Sequence, residues 1–158
     1  MTKQIELTQG QVALVDDDDY QWLSQWKWYF DKHHSGIGGY ALRKNKTKKI
    51  WMHRAVAEHM GILGRVDHIN RNKLDNRRCN LRLATASQDG ANRGRRQKKT
   101  SKFRGVSWYK PTSCWRAQIT THSIVRHIGY FTDESEAAKA YNREALREFG
   151  PFATLNEV

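Results

Sequence analysis

The chain has 158 residues, enough for one ordinary domain or two small ones with thin cores. Its 28 Lys and Arg outweigh 16 Asp and Glu, giving a net charge of +12 and a pI near 10.0; an excess of this size attracts polyanions, nucleic acid first among them. No apolar run approaches the roughly 18 residues of a spanning helix, the opening MTKQIELTQG lacks the apolar core of a signal peptide, and Cys79 and Cys114 have no CxxC partner. A membrane protein, a disulfide framework and a structural zinc site are therefore set aside, and the expectation is a soluble, cytoplasmic protein.

Residues 4–7 and 12–15 read as short strands around a turn at Gly10, and the acidic run from Asp16 to Asp19 follows at once. Four consecutive carboxylates cannot converge on one ion from a regular element. Asp does suit a helix N-cap and first turn, where it offsets the positive end of the dipole, and Tyr20, Leu23 and Trp26 then fall at near-helical spacing. Residues 26–30 and 40–43 make a hairpin across Gly36-Ile37-Gly38-Gly39, residues 49–52 a third strand, and residues 53–60 a short helix ended by Gly61. His53 and His59 are not the i, i+4 pair of a helical zinc motif. His33 and His34 belong to a solvated loop, and His53 reads as packed or phosphate-facing. For any one of the Trp and Tyr residues, a core position is favoured over base stacking.

Residues 65–68 read as a strand ending at the pair Asp67-His68, 70–73 as a turn, 80–85 as a second strand, and Ser87 as the N-cap of a helix over 88–93. Asn80 stands twelve positions after His68, and Asp89 nine further on. The set joins an imidazole base to oxygen ligands for a hard cation. Phosphodiester hydrolysis needs both, a base with pKa near neutrality to activate water and a cation to neutralise developing charge. An Asx-rich turn with one hydrogen-bonded His would explain a lone Asp-His but not the whole spaced set.

The stretch VDHINRNKLDNRRCNLRLATASQDGANR resembles the ββα-metal motif of HNH homing endonucleases of phages and mobile introns, and the upstream LTQGQVALVDDDDYQWLSQWKWY resembles their lead-in. The resemblance implies a DNA endonuclease using a divalent metal, Mg²⁺ with Mn²⁺ as the alternative and no zinc. It makes His68 the general base, Asp67 a metal ligand and Asn80 the residue that orients the His or the loop. The third metal-side position in the family is usually Asn or His in the first turn of the helix; here it is Asp89, with Asn92 one turn on as a second candidate. Two anionic ligands would hold the ion more tightly and blunt its Lewis acidity. This nuclease module spans residues 1–95. From Arg93 to Lys102 the chain reads RGRRQKKTSK, with six basic residues and no acidic one. It is expected to lie along phosphates through Arg93, Arg95 and Arg96 without reading sequence, residues 96–101 being a linker.

Residues 103–109 form a strand candidate and 110–113 a turn; residues 114–121 then alternate, with Trp115, Ala117 and Ile119 on one face and Arg116, Gln118 and Thr120 on the other. Residues 124–131 make a third strand. Asp133 to Glu136 opens a helix with capping-box spacing, its packing stripe is Ala137, Ala138, Ala140, Tyr141, Ala145 and Leu146, and Gly150-Pro151 stops it. With RGVSW, WRAQI, IGYF, EAAKAYN and FG in this order, residues 102–158 resemble the plant Apetala-two/ethylene-response-factor DNA-binding domain. The resemblance implies a three-stranded antiparallel sheet on one helix, with the sheet in the major groove, where Arg pairs with guanine O6 and N7. Arg104, Trp108, Arg116, Gln118 and Thr120 occupy matching outward positions. Ser107 stands where the plant domains often have another Arg. On the third strand a bulge would bring Arg126 outward; otherwise His127 is the outward residue.

The expectation is thus an α+β protein: an N-terminal ββα-metal (HNH) nuclease module and a C-terminal three-stranded antiparallel sheet packed on one helix. It would act on double-stranded DNA as a monomer, with no membrane partner. The alternative is a non-catalytic, sequence-specific DNA-binding regulator with a degenerate HNH module; an RNA-binding protein using the basic surface and aromatics is a weaker third.

Overall fold

The computed structural model describes residues 1–32, 38–46, 48–93 and 100–158. His33, His34, Gly36, Ile37, Arg95 and Arg96 lie outside the described residues. The chain divides into two compact units, Met1–Ala84 and Thr85–Val158, both built from small antiparallel sheets and helices. Among the described residues no helix is long and apolar enough to cross a membrane.

The first unit opens on β1 (Thr2–Glu6) paired antiparallel with β2 (Val12–Asp16). Alternate positions Ile5, Ala13 and Val15 drop into the core. The acidic run starts α1 (Asp17–Leu23), with Asp17, Asp18 and Asp19 in the first turn. The N-cap residue Asp16 makes no side-chain cap bond there. Its Oδ2 instead accepts the Arg78 backbone N–H at 2.7 Å. Asp19, fully buried, accepts the Arg78 guanidinium through both oxygens at 2.8 Å and the Trp22 indole N–H at 3.1 Å. Although burial pushes the Asp19 carboxyl up, these donors hold it below its ordinary range. Half of the acidic run therefore serves a partner some sixty residues away.

Trp28 is 2 % exposed and donates its indole N–H to the Leu23 carbonyl, whereas Trp26 stays 48 % exposed beneath the Arg43 guanidinium. The expected strand over 26–30 begins later: β3 (Tyr29–Lys32), β4 (Gly39–Asn45) and β5 (Lys48–Trp51) form an antiparallel sheet in that order. Next come α2 (Met52–His59), which buries Met52, His53, Val56 and Ala57, and the two-stranded pair β6 (Val66–His68) and β7 (Leu81–Leu83).

The second unit begins with α3 (Ala86–Asn92), capped by Thr85 rather than Ser87. The Thr85 hydroxyl accepts the Gln88 N–H at 3.2 Å and the Gln88 side chain accepts the Thr85 N–H at 2.8 Å, a reciprocal capping box. The Ser87 hydroxyl accepts the His122 N–H instead. Then β8 (Val106–Tyr109), β9 (Cys114–Thr121) and β10 (Ile124–Phe131) form an antiparallel sheet with β9 in the middle. The helix α4 (Glu134–Phe149) packs Ala137, Ala138, Tyr141, Ala145 and Phe149 against Phe103, Val106, Ala117 and Ile119. Leu146, expected in that stripe, is 51 % exposed; Phe149, one turn after Ala145, takes the inward position. At Gly105, φ is +73°, and a Cβ there would run into the Tyr141 ring and the Gln118 carbonyl, so this glycine is required by both torsion and close approach.

Removing the Asp19 carboxylate would strand the Arg78 guanidinium against a buried cavity. Asp19→Ala should lower the urea-unfolding free energy by about 2 kcal/mol or more, while Asp18→Ala on the exposed side should stay within about 0.5 kcal/mol of the parent.

Candidate active site

His68 ends β6 at 5 % exposure, and Asp67 beside it is 8 % exposed. The loop that follows is shaped by its asparagines. Asn70 Oδ1 accepts the Asn72 N–H at 2.9 Å and Asn72 Oδ1 accepts the Leu74 N–H at 3.1 Å, two successive Asx turns. Asn80 joins the loop's two arms: its Oδ1 accepts the Asn70 N–H at 2.9 Å and its Nδ2 donates to the Asp75 carbonyl at 2.7 Å. Asp75, 1 % exposed, accepts the Arg77 guanidinium through both oxygens at 2.7 Å, a contact that holds its carboxyl below the ordinary range. From outside, β2 locks the loop in place, since Leu14 donates to the Leu74 carbonyl and accepts from the Asn76 N–H, both at 2.8 Å.

This lock fixes Asn76, whose Oδ1 lies 3.3 Å from His68 Nε2. The Asn76 Nδ2 donates to the Leu74 carbonyl at 3.2 Å and meets Met52 Sδ at 3.5 Å, so the amide oxygen must face the imidazole. An amide oxygen only accepts. Nε2 therefore carries the ring proton, and the lone pair of the neutral ring resides on Nδ1. Burial pushes the His68 pKa down against the opposing pull of Asn76 and Asp67, which leaves the ring a neutral base. His53 meets it edge-to-face at 5.1 Å, and Tyr40 lies 5.2 Å from His53 and 6.3 Å from His68. Lys73 Nζ sits 4.6 Å above the Tyr40 ring. Asn76, Tyr40 and Lys73 were given no role in the reading of the sequence. Nothing in a run of asparagines says which one faces the ring.

Asp67 stands opposite Arg82 in the β6–β7 register, and its Oδ2 accepts Arg82 Nε at 3.3 Å and Nη2 at 3.1 Å. This grip is longer than the 2.7 Å of Arg77 on Asp75 or the 2.8 Å of Arg78 on Asp19. A buried carboxylate beside a neutral imidazole offers oxygen to a hard cation. Among the described residues no group of three or more His, Cys, Asp and Glu gathers as a metal cluster. The other metal-side candidates lie on α3 in the second unit. Asp89 accepts the Arg93 guanidinium at 2.7 Å, and Asn92 is 7 % exposed.

The candidate DNA-contacting residues of the second unit sort by strand parity. Arg116 is flanked by Ser107 and Tyr130, Gln118 by His127, and Thr120 by Val125, all on the sheet face opposite α4. Arg116 lies over the Tyr109 ring at 5.3 Å, and Tyr130 contacts both Tyr109 and His127. The bulge exists, between His127 and Gly129, yet Arg126 pairs with Ile119 on the helix side and bridges Glu144 and Glu148 at 2.8 and 2.7 Å. His127 is thus the outward residue. Trp108 shares the parity of Val106 and meets Trp115 edge-to-face at 5.1 Å on the helix side, away from Arg116. The Arg104 guanidinium donates to the carbonyls of Gly90 at 2.8 Å and Arg93 at 2.6 Å, closing the C-terminal end of α3. Arg116, Gln118, Thr120 and His127 come together on one face; Arg104, Trp108, Arg126 and Arg93 do not join them.

Residues 51–91 match a family described as HNH endonuclease. The chain is similar to an uncharacterized HNH endonuclease of Acanthamoeba polyphaga mimivirus, 32% identical over 155 residues that cover 94% of this chain and 76% of that protein. It is also similar to Protein 3.8 of Escherichia phage T7, 36% identical over 55 residues that cover 35% of this chain and 46% of that protein. No solved structure matches.

Burial, then the charges of His68, Arg54 and Lys73, push the His53 pKa from 6.5 down to about 3. The unfolded ring takes up a proton that the folded ring refuses, so this contribution to stability is complete above pH 6.5 and drains as the pH falls toward 3. His68 acts in the same sense, whereas Asp19 and Asp75 lose their stabilisation only below their unfolded value of 3.8. Urea unfolding from about pH 7 to 4.5 should show falling stability, and His53→Phe should flatten the slope by up to ~1.4 kcal/mol per pH unit. An unchanged slope would remove His53 from the account.

Proposed function

This chain belongs to the HNH endonuclease family, and from that premise we propose that it is a metal-dependent DNA endonuclease of the homing type with His68 as its general base. The observation that carries the reading is the bond between His68 Nε2 and Asn76 Oδ1, which commits one ring nitrogen and assigns the basic lone pair to the other. In the proposed reaction Nδ1 accepts the proton of the attacking water while Asn76, accepting at Nε2, holds the ring in line and stabilises its charged form. Asn80 is a positioning residue that keeps the loop closed. Asp67 would hold the ion, Mg²⁺ with Mn²⁺ as the alternative, and Asp89 or Asn92 is carried over as a further metal-side residue from its order in the motif alone. The ion supplies neutralisation of the charge that develops on the phosphate and the leaving oxygen. Lys73, seated on Tyr40, adds a fixed positive charge close to the base.

In this reading residues 1–95 cut, residues 96–101 link, and residues 102–158 form an Apetala-two-like targeting domain. The protein works as a monomer on double-stranded DNA in the cytoplasm of a bacterial or phage-infected host cell. The outward Arg116, Gln118, Thr120 and His127 support targeting, because alternate positions on β9 bring donors and acceptors to one face at roughly 6.6 Å spacing. One observation favours the non-catalytic regulator instead: Arg82 and Arg93 each neutralise a carboxylate assigned to the metal.

Plasmid cleavage separates the two. Wild-type protein should nick DNA with Mg²⁺ and not with EDTA, and His68→Ala should cut slower by a factor on the order of 10² to 10⁴. Asn76→Ala should also slow cleavage and shift the His68 ring-nitrogen NMR signals toward a tautomer mixture, with Asn76→Asp, which keeps the acceptor, recovering part of both. Wild-type protein inert with every divalent ion selects the regulator; full activity in His68→Ala refutes the base assignment. For targeting, site selection from a random library should relax at one position in Arg116→Ala, at a cost of about 1–3 kcal/mol there, and stay unchanged in Arg126→Ala. Equal effects of the two would overturn the assignment of faces.

A further inference from the structure

In the β4–β5 ladder Lys44 stands directly opposite Lys49, and both are exposed. Like charges facing one another across an antiparallel pair destabilise a hairpin. Asp31 relieves only Lys49, through an ion pair of 3.8 Å in which both side chains are about half exposed. Such a pair is a cost to the isolated protein that an anionic partner removes.

The face on which these lysines lie is informative. Residues 40, 42 and 44 of β4 alternate onto one side of the sheet, and their cross-strand partners Trp51 and Lys49 share it. Tyr40 is the ring that contacts His53 and His68 and carries Lys73 Nζ over its face at 4.6 Å. Trp51 carries the Arg54 guanidinium at 5.0 Å. Two of the cations therefore rest on aromatic surfaces, which restrain long side chains that would otherwise lose entropy on binding. From Tyr40 to Lys44 the strand advances roughly 13 Å. Through Tyr40, buried Leu42 and Lys44, one side of the sheet joins the ring beside the imidazole to the far end of the hairpin; Asp31, opposite Tyr40, adds a carboxylate there, and Lys44, Lys49, Arg54 and Lys73 leave the region with a positive excess.

We propose that Lys44, Lys49, Arg54 and Lys73 form a phosphate-binding track through which the first unit holds the backbone of duplex DNA and leads it to His68. Lysine ammonium groups act as point charges, and this face offers phosphate contacts rather than a sequence code. The direction of the track rests on the nuclease reading of His68; its existence as an anion-binding face does not.

The test uses the full chain, a duplex of about 30 base pairs of arbitrary sequence, and EDTA, so that binding is measured without cleavage. In Lys44→Gln/Lys49→Gln/Arg54→Gln the log–log slope of affinity against salt should be shallower by about 2 to 3, at ~0.9 for each phosphate left without its cation. The charge-matched Lys139→Gln/Arg143→Gln/Arg147→Gln, on the exposed side of α4, should keep the wild-type slope. An unaltered slope in the first variant, or equal changes in both, would overturn the track. Relief of the Lys44–Lys49 repulsion means Lys44→Gln alone should fold at least as stably as wild type. That single variant, with an expected slope change of about 0.9, decides the matter should the triple variant unfold. A protein that shows the slope difference but never cuts refutes the His68 reading and leaves the track standing, and one that cuts without the slope difference does the reverse.

Discussion

Leu14 of β2 gives both of its backbone hydrogen-bonding groups to the loop carrying Asn76, and two residues further on half-buried Arg78 grips buried Asp19 and is held at its N–H by Asp16. Everything assigned to His68 rests on this anchorage. An amide can fix an imidazole tautomer only if its own position is fixed, and the Asn76 backbone is held from the N-terminal hairpin while its side chain is oriented by the Leu74 carbonyl. Asn80 adds the second tie, between the two arms of the loop. The candidate base is thereby set by residues about fifty positions upstream, which is why the first strands and α1 belong to the site's architecture although none of their side chains is proposed to react.

The Arg77–Asp75, Arg78–Asp19 and Arg82–Asp67 pairs of the first unit differ in geometry. Arg77 on Asp75 and Arg78 on Asp19 are bidentate at 2.7 to 2.8 Å, the range of strong charge-assisted bonds. Both aspartates are almost wholly buried, and both pairs hold a loop or helix in place. Arg82 meets Asp67 Oδ2 at the longer distances of 3.1 and 3.3 Å. A tight, buried pair is a poor place to recruit an ion, because the carboxylate is already saturated. The looser pair is the one next to His68.

Regular elements were legible where local pattern decides. The alternation of residues 114–121 gave β9 with the observed ends, the strand read over 124–131 matches β10, and the Asp133 cap and Gly150-Pro151 stop bounded α4. Thr85-x-x-Gln88 is also a local signal, and it outranks Ser87 because only that spacing closes a reciprocal box. Long-range partners were not legible. The acidic run announces a helix start, yet nothing nearby in sequence reveals that Asp16 and Asp19 face Arg78. Arg126 is drawn to the helix side by Glu144 and Glu148, one turn apart on α4, a match that exists only once the helix is laid on the sheet. Trp108 is the exception: counting by twos from buried Val106 would have placed it.

The capture of the α3 end by Arg104 bears on how proteins of this design can be recombined. The helix that closes the HNH motif has Thr85 as its cap, Arg104 at its last carbonyls, and Ala91 sharing an apolar cluster with Ile119, Tyr141 and Phe149. It therefore folds with the C-terminal sheet. A crossover at the basic linker, where charge and composition draw the border, would sever that helix from the residues that complete it. A crossover near Ala84 would carry it across whole, so the heritable block lies upstream of the visible seam.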